Sequence, residues 1–235
     1  MIKLSDFLPM FTKHQLFLKE KYKESGDIYT FVFETRNEIF WKAGQHGIFT
    51  IKHKRIRKPT RAFSIASAPS EGHIKISMHI TSHPSEFKKV LFDFEPGMSL
   101  IMRGPIGSLY IHNQIPHLFI AGGIGITPYR PMIIELASQM EPLSYVNHLI
   151  HMDSKQDFLY RKEVEDIIQN SSLTIAYPTE RENMLHEIQT FVSTHGNNAD
   201  YYLVGPKSMV TAIETALKKG GVKRIHIKKD VFIGY

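Results

Sequence analysis

The hydrophobic pattern changes rhythm near residue 115. Before that point apolar residues recur at alternate positions in short runs. Ile28-Tyr29-Thr30-Phe31-Val32-Phe33 is β-branched and aromatic, and Gly47-Ile48-Phe49-Thr50-Ile51 repeats the pattern after the turn-like Lys42-Ala43-Gly44-Gln45. Ala62–Ile65, Ile74–Ile80 and Ser99–Arg103 read as further strands, with a turn at Glu95-Pro96-Gly97. One stretch here has helical period: Ser85 to Phe92 places Phe87, Val90 and Leu91 on one face. Short strands at this spacing predict a small closed antiparallel β-barrel. The first fifteen residues, including Phe7-Leu8-Pro9-Met10-Phe11, fit either a segment packed on the barrel or a loose end.

After Ile115-Pro116, Leu118–Ala121, Tyr145–His151, Leu173–Tyr177 and Tyr201–Val204 read as strands and alternate with helical stretches. These lie near Pro131–Met140, Leu159–Asn170, Asn183–Thr194 and Lys207–Lys218. Alternation of this kind predicts parallel strands with crossover helices. The chain therefore divides into a β-barrel domain, 1–114, and an α/β domain, 115–235.

The sharpest local signal sits at the start of the second domain. Leu118-Phe119-Ile120-Ala121 runs into Gly122, Gly123 and Gly125, then Ile126-Thr127-Pro128 and a helix from about Tyr129. Strand, glycine loop and helix N-terminus together present backbone N–H groups to a phosphate. Glycine permits positive φ and close approach, and proline fits a first helical turn. The spacing is not G-x-G-x-x-G, and an ordinary strand-to-helix turn has the same local look.

A second signal is Arg61-Ala62-Phe63-Ser64, a charge, a ring and a hydroxyl on one short strand. Arg61 and Phe63 share one face and Ser64 takes the other. Without further context a solvated arginine beside a core phenylalanine reads the same way.

Composition narrows the chemistry. The 235 residues carry 42% hydrophobic and 22% charged residues, as in a soluble globular protein. There is no cysteine, which excludes disulfides, a cysteine-ligated iron–sulfur cluster and a thiol nucleophile within the chain. No apolar run is long enough to span a membrane and no signal-peptide pattern opens the chain, so a cytoplasmic protein is expected. Histidines number 13, yet His79 and His83, the one suggestive pair, fall in a strand-to-turn region and no metal site is read. The net charge of +6 gathers at Lys52–Arg61 and Lys218–Lys229, which suits a solvated face, an acidic protein partner or a phosphate-rich ligand. No nucleic-acid partner is expected.

Arg61-Ala62-Phe63-Ser64 resembles the Arg-x-Tyr/Phe-Ser flavin motif of the ferredoxin–NADP reductase superfamily. Gly122–Pro128 resembles its nicotinamide-dinucleotide loop. Tyr201-Tyr202-Leu203-Val204-Gly205-Pro206 is similar to its Cys-Gly-Pro motif, with Val204 at the cysteine position. Asp230-Val231-Phe232-Ile233-Gly234-Tyr235 is similar to its acidic-x-Phe tail, with Asp230 in place of the common glutamate. The resemblance implies a flavin-binding barrel followed by a dinucleotide-binding α/β domain.

It also implies roles. Arg61 would hold a flavin phosphate, since a planar guanidinium suits bidentate phosphate contacts. Phe63, next to Ala62, would lie against the isoalloxazine ring, and Ser64 would place its hydroxyl near flavin N5. His79-Ile80-Thr81 matches a strand touching the ribityl and pyrophosphate groups; a plain barrel edge is the alternative. The helix from Ser85 resembles a diphosphate-binding helix, with Phe87 aligned and Lys88 where Ser or Thr is common; Lys88 either neutralises phosphate or faces water. Gly122, Gly123, Gly125, Ile126, Thr127, Pro128, Val204, Gly205 and Pro206 would take NAD(P)H. Tyr235 would cover the flavin until the nicotinamide displaces it, or is a frayed end. Asp153 falls where phosphate-reading members carry a basic residue, which favours NADH, while Lys155 and Arg181 argue for NADPH. FAD is implied over FMN. The implied reaction is hydride transfer from NAD(P)H to flavin N5, then electrons to a separate ferredoxin, flavodoxin or oxygenase component. Stand-alone reduction of free flavin or ferric iron, and a subunit role in a redox complex, are the alternatives.

Overall fold

The structure is a computed structural model that describes residues 8–139, 145–169 and 171–232. Backbone contacts divide the chain into two compact units, 1–110 and 111–235.

In the first unit a 3-10 turn at Leu8–Phe11 leads into β1 (Lys13–Ser25) and β2 (Ile28–Thr35). There follow β3 (His46–Thr50), β4 (Thr60–Ser64), β5 (Ile74–His79), helix α1 (Glu86–Phe92) and β6 (Ser99–Ile106). They form one antiparallel sheet in the order β4-β3-β6-β1-β2-β5. The sheet is curled rather than closed by a full ladder. Its end strands meet through the Ala66 N–H donating to the Lys75 carbonyl at 2.7 Å, just past β4. Alternation does what the sequence foretells: Phe31, Phe33, Phe49, Ile74, Ile76 and Met102 point into one core, joined by Phe87, Val90 and Leu91 of α1. Ser85 starts α1 as its N-cap, its hydroxyl accepting from the Lys88 N–H.

The second unit runs β7 (His117–Gly122), α2 (Tyr129–Ala137), β8 (Asn147–Met152), α3 (Arg161–Ile168) and β9 (Leu173–Ala176). It ends with α4 (Arg181–His195), β10 (Asp200–Pro206), α5 (Lys207–Lys219) and β11 (Ile227–Phe232). The sheet is parallel throughout, in the order β11-β10-β7-β8-β9. Leu118, Ile120, Ile150 and Leu203 pack on Met184, Ile188, Val210 and Ile213 of α4 and α5. α2 is pinned to α3 by the fully buried Arg130, whose Nε donates to Glu163 at 2.8 Å.

Element ends move by a few residues from the expectation. α3 begins at Arg161 rather than Leu159 because Tyr160 takes a left-handed conformation, φ 62°. Met140 and Asn170, expected as helix ends, lie outside the described residues. Two strands are longer than the pattern shows. The outer half of β1 is exposed on both faces, and β11, part of the expected tail, is a charged edge strand. Neither has an alternation to read. Among the described residues, no helix is long and apolar enough to cross a membrane.

Candidate cofactor sites

In the first unit, β4 and α1 build a cleft of about 310 Å³ lined by Arg57, Lys58, Arg61, Ser85, Glu86 and Phe87. Arg61 and Phe63 both turn toward Phe87, as their shared parity requires. The Arg61 guanidinium lies 6.0 Å from the Phe87 ring centre, and the Phe63 ring lies 5.8 Å from it. Phe63 is also edge-on to Phe49 and packs against the core. Arg61 donates to the backbone carbonyls of Thr60 at 2.8 Å and Lys58 at 3.3 Å, and makes no ion pair among the described residues. Lys88 is half-buried. Burial depresses its pKa; Asp27 opposes that shift and Arg61 adds to it. No hydrogen bond or ion pair holds its ammonium among the described residues. A half-buried cation beside a second cation is costly unless an anion joins them. The residues present therefore fit the diphosphate of a flavin nucleotide. Glu86, the one carboxylate in the lining, accepts the Arg57 N–H at 2.9 Å.

Ala62 is exposed, while Ser64 is buried and pairs across the ladder with His46. His79 spends its side chain on Asp27, Nδ1 to Oδ1 at 2.6 Å, and the Ile80 N–H donates to the Asp27 carbonyl at 2.7 Å. Thr81 is exposed. The His79 ring thus braces the β1–β2 turn, and Asp27, which no sequence motif marks, joins the group through that ring and through Lys88. Among the described residues no set of three or more His, Asp or Glu side chains is arranged to hold a metal.

In the second unit the glycine loop and the end of β10 form one surface. Gly123–Ile126 is a 3-10 turn ahead of α2, with Gly123 at φ 55°. A Cβ on Gly125 would lie 2.3 Å from the Val204 carbonyl oxygen, and one on Gly205 would lie 3.1 Å from Gly122 Cα. The two motifs, far apart in the chain, are thus in backbone contact, with Ala121 in register with Val204. Val204 and Gly205 are buried and Pro206 is exposed. Ile126, Thr127 and Pro128 are buried, and the Thr127 hydroxyl donates to the Ile124 carbonyl at 3.0 Å, inside the turn.

Beyond the loop, Asp153 accepts from the Lys155 N–H at 2.7 Å and the Asp157 N–H at 3.2 Å through Oδ1. Its Oδ2 lies 3.2 Å from where a Gly123 Cβ would stand. The carboxylate is therefore fixed beside the loop with one oxygen turned to it. Arg181 is elsewhere, in an open groove of about 750 Å³ with Lys207, Ser208, Thr211 and Thr215. His151 carries no motif, yet its Nε2 donates to the Gly123 carbonyl at 2.9 Å. A lone histidine at the end of an apolar run gives no signal for such a role. Tyr235 lies outside the described residues.

The sequence matches the oxidoreductase FAD-binding domain family over residues 15–111 and the oxidoreductase NAD-binding domain family over residues 119–215. With these two families covering both units, the chain belongs to the ferredoxin–NADP reductase superfamily. It is an NAD(P)H-dependent flavoprotein oxidoreductase, with FAD and a nicotinamide dinucleotide as cofactors.

Among curated relatives, the F subunit of the Na(+)-translocating NADH-quinone reductase of Idiomarina loihiensis is 22% identical over 227 residues, covering 86% of this chain and 56% of that protein. The chain thus spans about half the length of the curated relatives it matches. The fold is shared with the cytochrome b5 reductase domain of Ulva prolifera nitrate reductase, at TM-score 0.77, 21% identity and coverage of 95% and 99%. It is shared also with ferredoxin-NADP+ reductase from Plasmodium falciparum with 2'P-AMP, at TM-score 0.77, 17% identity and coverage of 95% and 97%.

Proposed function

We propose that this protein draws electrons from NADH and delivers them to a separate acceptor, as the reductase component of a redox system. A bound flavin supplies the electron chemistry, taking up a hydride and giving up electrons to the acceptor. The chain supplies binding and orientation. Arg61 and Lys88 would hold the diphosphate, the Gly122–Pro128 turn and Gly205 would receive the dinucleotide backbone, and Ser64 would offer its hydroxyl to the flavin ring. The observation that carries the reading is Arg61 in a cleft at the start of α1, with the half-buried Lys88 close enough to feel its charge and, among the described residues, neither side chain in an ion pair. It asks for a diphosphate, which FAD has and FMN lacks.

Asp153 supports NADH. A carboxylate held by two backbone N–H groups can accept from a ribose hydroxyl and repels a 2′-phosphate. The groove with Arg181 and Lys207 favours the competing NADPH reading. An acceptor that is a partner within a larger complex is supported by relatives whose name makes them one part of a quinone reductase.

Anaerobic mixing of the FAD-loaded protein with each nicotinamide tests the reading. NADH bleaches the flavin absorbance fast and NADPH slowly; Asp153→Asn narrows the gap by about tenfold in kcat/KM. A flavin that stays yellow with both donors defeats the reductase reading. Flavin lost on gel filtration would turn the assignment toward reduction of free flavin.

A further inference from the structure

We infer that His151 is a positioning residue for the dinucleotide loop: by holding the Gly123 carbonyl it aims the next backbone amide at the bound phosphates. The inference rests on the assignment of Gly122–Pro128 as the NAD(P)H loop. Gly123 sits at φ 55°, a conformation glycine enters and leaves freely. Nothing in its own side chain fixes the peptide that follows. In a planar trans peptide the carbonyl of Gly123 and the N–H of Ile124 point in opposite directions. Fixing the first fixes the second.

His151 is placed to do this. It lies on β8, an interior strand of the sheet, in register with Ala121, two residues before Gly123. Its ring is 1% exposed, edge-on to Phe158 at 5.3 Å and tilted against Tyr177 at 6.1 Å. A carbonyl can only accept, so Nε2 carries the proton and Nδ1 a lone pair. The neutral form persists at working pH, because burial pulls the imidazole down to about 4 against the pull of Gly123 and Asp153. The other groups facing it do not alter that. Tyr177 on the β9 side is pushed up to about 12, and Arg161 of α3 lies over the Tyr177 ring rather than against the imidazole.

The test is equilibrium binding of ADP-ribose to the FAD-loaded protein by calorimetry, with His151→Phe and His151→Gln. Phe keeps the packing and deletes the donor; Gln keeps an amide N–H. The phenylalanine variant binds ADP-ribose about tenfold more weakly, raises KM for the nicotinamide with kcat little changed, and keeps its FAD. Glutamine restores most of the affinity. In the unaltered protein, ring ¹⁵N spectra show the Nε2–H tautomer down to about pH 5. Equal affinity in all three proteins overturns the inference, as does the Nδ1–H tautomer, which needs no variant to fold. Failure of the unaltered protein to bind ADP-ribose overturns the loop assignment instead.

Discussion

Lys88 separates a binding role from a stabilising one. Its ammonium is half-buried next to Arg61, with no hydrogen bond or ion pair among the described residues and the charge of Asp27 only partly offsetting burial, so in the flavin-free protein it is a liability. Lys88→Met should leave the thermal midpoint of the flavin-free protein unchanged or higher. The same change should weaken FAD about tenfold to a hundredfold, the range of a lost charge-assisted hydrogen bond, and leave riboflavin unaffected. Fluorescence titration with the two flavins checks this. His151 carries a proton linkage of its own. Its folded value near 4 lies below the unfolded 6.5, so the unfolded chain takes the proton first. Stability is full above pH 6.5 and falls by about 3 kcal/mol as pH drops toward 4. Urea unfolding across that window should show the slope, and His151→Phe should flatten it. Arg61, Phe63 and Lys88 are legible in the sequence because type and spacing place them on β4 and α1. His151 and Asp27 are not, since His151 matters through a backbone carbonyl and Asp27 through the His79 and Lys88 side chains, all far away in sequence.

At the scale of elements, periodicity locates the helices and the buried strands because each buries one face. It fails where burial fails, along the outer half of β1 and on β11. The backbone contact between the glycine loop and β10 has no signature beyond the glycines themselves. Gly125 turns it into a prediction. A methyl group 2.3 Å from the Val204 carbonyl cannot be absorbed by a side-chain rotation, so strand and turn must part. Gly125→Ala should cost about 1–3 kcal/mol of stability by overpacking and should reduce NAD(P)H affinity more than FAD affinity. Denaturant midpoints and separate titrations of the two cofactors would show it. Loss of FAD binding with intact dinucleotide binding would contradict the assignment of this turn.

At the scale of the whole molecule, the two basic clusters evident in the sequence turn out to be unlike. In the second, Lys218 and Lys229 both pair with Glu214, and Lys228 pairs with the buried Asp200 at 2.5 Å. Much of that charge is spent locally. In the first, Lys52, Lys54 and Arg55 stand exposed on the β3–β4 loop with no ion pair among the described residues. Positive charge that a partner can feel therefore stands on this loop, as it does at the exposed Lys219, Lys223 and Arg224 of the second cluster, but here Arg57 and Lys58 continue it into the cleft. Fields of this kind act on encounter more than on bound-state affinity, and they vanish as salt shortens the Debye length to about 10 Å at 0.1 M. Reversing Lys52 and Lys54 to glutamate should slow electron delivery to an acidic ferredoxin or flavodoxin by about tenfold at low salt. The two proteins should converge as ionic strength rises. Reduction of a small neutral quinone should be equal in both, because it feels no field and the cleft residues are untouched. Stopped-flow rates against salt for both acceptors decide the matter: a deficit that persists at high salt, or one shared by the quinone, would mean that the loop serves the flavin site and not the partner.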